Sequence, residues 1–233
     1  CIIIYYNDFT SKKYNYTKSS VCINNYTRGG KRMDNQTRED VRIVKTRRDL
    51  RAALVKLMEK CNFDKISVNE ICKEALVNRM TFYKHYNDKY DLLNDVLLVT
   101  KQSIAQRVKS EHPQASIEDD PLEFTLVLFK AVIDECLEHR LFIDSIDNNE
   151  LVVTMVSTTI EKTIAELLND MSKKHPLKYP IEAVSAATTG AASFLIRYWL
   201  CRQPEKTKDA FVDQAGRFLR DLFESGILWM KAN

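Results

Sequence analysis

Glycine and proline are scarce: five of each occur in 233 residues, and Gly29 and Gly30 leave only three glycines for everything after residue 32. A many-stranded β protein needs turn formers at short intervals, so that class is excluded. Long apolar runs are missing as well. Stretches such as 126–129 and 151–153 fall far short of the ~20 residues a membrane-spanning helix requires, so the chain is expected to be soluble and cytoplasmic, with no membrane partner. The six cysteines (Cys1, Cys22, Cys61, Cys72, Cys136, Cys201) show no C-x-x-C spacing, and His85, His112, His139 and His175 never form H-E-x-x-H. Neither a metal site nor a disulfide framework can be built from them, and reduced thiols packed in helices are expected instead. A Gly-rich phosphate loop, a G-x-S-x-G turn and paired acid–base motifs are all absent, so no catalytic residue, no cofactor and no enzyme activity are assigned.

What is present is apolar content and unevenly placed charge. Hydrophobic residues make up 45% of the chain, enough for an ordinary core. The net charge of +3 hides a contrast: residues 33–110 hold sixteen Lys and Arg against eleven Asp and Glu, while residues 111–233 hold thirteen against twenty. A basic front on an acidic back suggests a polyanion-binding module joined to something else. Residues 1–32 lack helical periodicity and cannot form a core. They read as a disordered or non-native leader ahead of Met33, with Arg28-Gly29-Gly30 encodable by a purine-rich ribosome-binding stretch.

From Arg42 onward apolar residues recur at helical spacing. Leu50, Ala53, Leu54, Leu57 and Met58 form one stripe. Ser67-Val68-Asn69-Glu70 reads as a capping box opening a short helix that ends near Leu76-Val77. Asn78 caps a second short helix reaching His85, anchored by Phe82 and Tyr86, and Asn87 or Asp88 caps a long connecting helix bearing Leu92, Leu93, Val96, Leu97, Ile104 and Val108. Pro121 suits a first helical turn. A connector is expected at 141–146, and further helices at 151–171, 181–201 and about 207–231. The expected architecture is all-α.

Two short helices joined by a tight turn are what a helix-turn-helix requires, because the second must enter a groove ~12 Å wide and present side chains to base edges. Asn78, Arg79, Met80, Thr81, Tyr83, Lys84 and His85 supply such side chains while Phe82 faces inward. Arg79 suits guanine, Met80 and Thr81 suit a thymine methyl, and Tyr83, Lys84 and His85 suit phosphates.

The run 63–75, followed by Val77-Asn78-Arg79-Met80-Thr81-Phe82-Tyr83-Lys84-His85-Tyr86-Asn87-Asp88-Lys89 and Leu92-Leu93, resembles the N-terminal signature of TetR-like transcriptional regulators (the TetR/AcrR family). The resemblance implies that 79–85 is the recognition helix, that Ser67 and its neighbours contact backbone phosphate, and that Lys89 clamps another. It departs at Leu76, where the family usually has Gly. A non-Gly residue with positive φ costs about 1 kcal/mol or more, so the turn is either re-formed or strained.

Domains are accordingly expected at 33–88, a three-helix DNA-binding domain, and 89–233, a helical regulatory and dimerisation domain. The resemblance implies dimerisation through the last two helices. Ala183, Ala187 and Gly190 would permit close approach there, with Phe211, Phe218 and Leu222 adding apolar contact. Phe129, Cys136, His139, Phe142, Met155, Thr158 and Thr159 are the candidates for a cavity holding a small apolar or cationic ligand. The expected partners are double-stranded DNA and a second copy of the chain. The expected function is a repressor of a palindromic operator released by ligand, and its rival is a ligand-independent DNA-binding dimer controlled by a protein partner or acting structurally.

Overall fold

The computed structural model describes residues 35–139, 149–202 and 207–225, with side chains for 41–139, 149–200 and 207–225. Among these residues there are eight α-helices and no strand element: α1 (Asn35–Met58), α2 (Val68–Glu74), α3 (Arg79–His85), α4 (Lys89–Glu111), α5 (Pro121–Glu138), α6 (Glu150–Ser172), α7 (Ile181–Arg202) and α8 (Lys208–Glu224), with one 3-10 turn at Phe63–Lys65. The leader expected at 1–32 and the connector expected at 141–146 lie outside the described residues. So do Phe142 and the last turn expected for the final helix.

Short polar side chains fix where the helices begin. Ser67, Asn78, Asp88, Asp120, Asn149 and Thr207 each accept a hydrogen bond from a first-turn backbone N–H, an interaction worth about 1 kcal/mol apiece. The capping box closes in both directions: Ser67 Oγ accepts from Glu70 N–H at 3.3 Å, and the Glu70 carboxylate accepts from Ser67 N–H at 2.8 Å. Those hydrogen bonds hold the Glu70 carboxyl below the usual range. Pro121, lacking an N–H, sits in the first turn of α5, where no helical partner exists for one.

The chain divides into two units, Cys1–Glu39 and Asp40–Asn233. Within the second, the main core joins Leu50, Leu54 and Met58 of α1 to Phe63, Ile71 of α2, Phe82 of α3 and Leu92, Leu93 and Val96 of α4. This core does not stop at the domain boundary expected between 88 and 89. It takes in Val152 at the start of α6, with Val153, Met155 and Val156 packed against it. Behind it lie two smaller clusters, Val108–Val127–Ala131 between α4 and α5, and Ile133–Trp199–Leu200–Phe211 joining α5, α7 and α8. The α6–α7 pair is the most extensive helix contact.

The last cluster corrects one expectation. Phe211 is buried in its own subunit, its ring stacked on Trp199 with centroids 4.5 Å apart and planes within 3°. It therefore packs α8 against α7 within the subunit. Leu222 is half-buried.

Candidate nucleic-acid interface

The turn between α2 and α3 sets the presentation of everything after it. Leu76 N–H donates to Lys73 O at 3.3 Å and Val77 N–H donates to Cys72 O at 2.9 Å, the paired bonds that end a helix through one left-handed residue. That residue is Leu76, with φ 54°. The family's tight turn is therefore kept, with the strain of a β-carbon in it, at a cost of about 1 kcal/mol.

Helix α3 is held from below and open above. Phe82 is fully buried and Tyr86 nearly so, their rings 5.7 Å apart. Outward stand Arg79, Met80, Tyr83 and Lys84, while Thr81 and His85 are half-buried. Met80 is 74% exposed and Tyr83 47%. Arg79 is already oriented: its guanidinium donates to Tyr83 Oη at 3.3 Å and lies 5.5 Å from the ring centroid. Asn78 uses its side-chain carbonyl as the helix cap, accepting from Met80 N–H at 2.7 Å, which leaves its NH2 group as the donor available to DNA. His85 has its pKa pushed below the ordinary value by partial burial and by the charges of Arg47 and Lys84. That shift disfavours the imidazolium form that would pair with a phosphate.

Two expected phosphate contacts are engaged within the protein. Lys89 directs its ammonium at the carbonyls of Phe63, Asp64 and Ile66, at 2.9, 3.1 and 2.9 Å, and lies 4.6 Å from the Phe63 ring centroid. An ammonium has three hydrogens, so Lys89 ties the start of α4 to the segment before α2 and has none left for a phosphate clamp. The Ser67 hydroxyl likewise donates to Glu70 Oε2 at 2.7 Å, so its role is the cap.

A polar cluster that the sequence reading missed locks α3 in place. Asp95 of α4 accepts from Arg47 at 2.9 Å, from Arg51 at 2.8 Å and from the Tyr86 hydroxyl at 2.6 Å. Burial alone would raise the Asp95 pKa, but the hydrogen bonds of Tyr86 and Arg51 and the charges of both arginines hold it below the usual carboxylate range. Burial and the bond to Asp95 push the Tyr86 phenol up to about 12. The available signal was Arg47 and Arg51 one turn apart facing the residue that closes α3. Nothing local pointed to Asp95 as their partner.

The expected ligand residues do not converge. Met155 packs on the main core. Thr159 donates to Met155 O at 2.9 Å, within its own helix, and Thr158 is half-buried on the same helix. His139 is exposed at the end of α5, 3.7 Å from Glu135. The Cys136 thiol is pushed up to about 11 by burial and the adjacent Glu135, which makes it an inert packing group. Of these, Phe129 borders a cleft of about 290 Å³ between α5 and α8, lined by Leu126, Val127 and Val212 together with the charged Glu123, Lys130, Asp213, Arg217 and Arg220. Among the described residues no group of His, Cys, Asp and Glu is placed to hold a metal ion, and no helix is long and apolar enough to cross a membrane.

Residues 50–96 match the model for bacterial regulatory proteins of the tetR family. That segment is similar to the family's DNA-binding domain. TetR-family regulators bind DNA and are not enzymes, and the fold extends the likeness beyond the matched segment. A protein described as a TetR-family transcriptional regulator from Syntrophomonas wolfei superposes with a TM-score of 0.62 at 13% identity, covering 77% of this chain and 95% of that one. The fatty acid degradation regulator FadR from Bacillus halodurans gives 0.57 at 16% identity, covering 74% and 93%. A TetR transcriptional regulator from Streptococcus agalactiae gives 0.54 at 16% identity, covering 79% and 99%. At these identities the likeness is one of fold. Curated protein sequences give no match.

Proposed function

We propose that this TetR-family regulator is a homodimeric repressor that reads a palindromic operator with two copies of α3 and is released by a small apolar or cationic ligand. The observation that carries the dimer is the outer face of α7. Ala183, Ala187, Gly190 and Ala191 are all exposed, and Phe194 follows them at 70% exposure. A β-carbon at Gly190 would meet nothing within 4 Å, so packing within the subunit does not require glycine there. Mid-helix glycine is about 1 kcal/mol worse than alanine, and a second helix crossing at that point accounts for it. Phe218 of α8, at 55% exposure, is a further open aromatic side chain. One half-site offers too few phosphate contacts for useful affinity, whereas two reading helices ~34–36 Å apart engage successive turns of one DNA face.

The division of labour is then functional and not one of packing: residues 33–88 read DNA, and residues 89–233 dimerise and control. Release follows from differential binding. A ligand lowers DNA affinity only by as much as it prefers the state whose reading helices are wrongly spaced. The cleft between α5 and α8 is the candidate seat. The scatter of Phe129, Cys136, His139, Met155, Thr158 and Thr159 favours a second reading, a DNA-binding dimer without a ligand that a protein partner controls or that acts structurally.

A thermal-shift screen against small cationic and lipophilic compounds, run with and without selected operator, separates the two. A compound that raises Tm of the free protein and weakens operator binding supports the sensor. Steep salt dependence with no sequence preference supports the structural reading. Unchanged operator affinity of Arg79→Ala and Lys84→Ala in a low-salt gel shift defeats the assignment of α3.

A further inference from the structure

Leu76 combines two properties that do not belong together in a residue serving the fold alone. Its backbone occupies the left-handed region at φ 54°, where glycine removes the strain, and its side chain is 94% exposed. The turn's hydrogen bonds come from backbone N–H groups, so a leucine side chain contributes nothing to them. Nor does it contribute to the core, which Val77 next to it and Ile71 and Cys72 before it already join. Met80, four residues on in the first turn of α3, is the other large apolar side chain left open here. Between them Asn78 and Arg79 carry polar groups outward. Leu76 and Met80 thus stand exposed on either side of Asn78 and Arg79 in the chain; on the DNA-reading role proposed for α3, on which this inference rests, the apolar feature such side chains can meet on base edges is the 5-methyl group of thymine.

We infer that Leu76, together with Met80, forms an apolar edge of the reading surface that selects thymine by its methyl group, and that the strained turn is retained because glycine would abolish this contact. Strain held at a binding surface is the expected signature of such a trade.

The test uses the full chain. Duplexes are selected from a random pool with the native protein. Each thymine of the selected half-site is then replaced singly by deoxyuridine, which removes only the methyl, and binding is measured at fixed salt for the native protein, Leu76→Gly and Met80→Ala. The native protein is expected to lose about fourfold in affinity at one or two thymines, the worth of about one buried methyl group. Leu76→Gly is expected to melt higher, to bind the all-thymine duplex about fourfold more weakly, and to be indifferent to uracil at one position where the native protein is not. Met80→Ala is expected to be indifferent at the neighbouring position. Native affinity of Leu76→Gly on the selected duplex, or an equal loss on thymine and uracil duplexes, overturns the inference. Binding by Arg79→Ala serves as the control: if it too is unchanged, the DNA-reading role of α3 has failed, and not only that of Leu76.

Discussion

Residues 50–96 place Leu50, Leu54, Phe63, Ile71, Phe82, Leu92 and Leu93 at or near zero exposure and close one continuous core around them. The larger stretch behind them closes two small clusters and leaves Phe194 and Phe218 in the open. The front packs its apolar side chains on one another and on the start of α6, leaving Leu76 and Met80 open beside α3, and Asp95 gathers the polar groups that burial would otherwise strand. The rear keeps an exposed face of small and aromatic residues on its longest-packed helix pair. A region that reads DNA must hold α3 rigidly whatever the remainder does. On the function proposed above, the rear would reserve part of its apolar surface for a second copy, and the difference in closure would follow from that difference in task.

Removing the keystone of the front has the largest expected effect. Asp95→Ala leaves the Tyr86 hydroxyl and two guanidiniums without their acceptor, and should lower stability by about 3 kcal/mol in denaturant titrations. Its counterpart in the rear, Asp134→Ala, breaks the Asp134–Lys208 pair and should lower stability by about 1 kcal/mol or less. Equal losses would erase the contrast between the regions. The acid limb sharpens it. Because the folded Asp95 pKa lies below its unfolded value, this contribution is complete above about pH 4 and is lost as pH falls through the folded pKa. Asp95→Asn should therefore unfold with a shallower dependence on pH in that window.

The rear is probed next by Gly190→Trp. Open space at that β-carbon leaves helicity by circular dichroism intact, while light scattering should show a monomer and operator affinity should fall about a hundredfold as the second half-site is lost. A dimer that survives would mean the exposed face serves something else. Arg79→Ala should follow at about a tenfold loss of affinity with the dimer intact. Smallest is Lys89→Met, expected to lower stability by about 1 kcal/mol and to leave the salt dependence of DNA binding unchanged. A true phosphate clamp would reduce that slope by ~0.9 for each subunit.

Much of the front was legible because its signals are local. Ser67 with Glu70 and Asn78 each announce a helix start within four residues, the next start was narrowed to Asn87 or Asp88, and Phe82 with Tyr86 mark the buried side of α3 by their spacing. Lys89 shows where local reading stops. Its position resembles that of a phosphate clamp, yet three carbonyls 23 to 26 residues earlier in the chain occupy its ammonium. The rear was legible in helix periodicity and much less in partnership. Phe211 and Phe218 sit seven residues apart on one helix, and only the packing of Trp199 sends the first inward while the second stays out. Met155 and Cys136 read alike as cavity residues and lie in different environments.

By itself the order of residues determined the all-helical class, the helix starts at Ser67 and Asn78 and the set of side chains offered beyond Asn78. These depend on interactions spanning one or two turns, and the chain carries both partners within that reach. Only the tertiary structure decided that Asp95 would bind Arg47, Arg51 and Tyr86, that Lys89 would face inward, and that Phe211 would be covered while Gly190 and Phe194 were not. Each of those outcomes depends on which helix faces which, and a helical period repeats the same face every seven residues without saying what will lie against it.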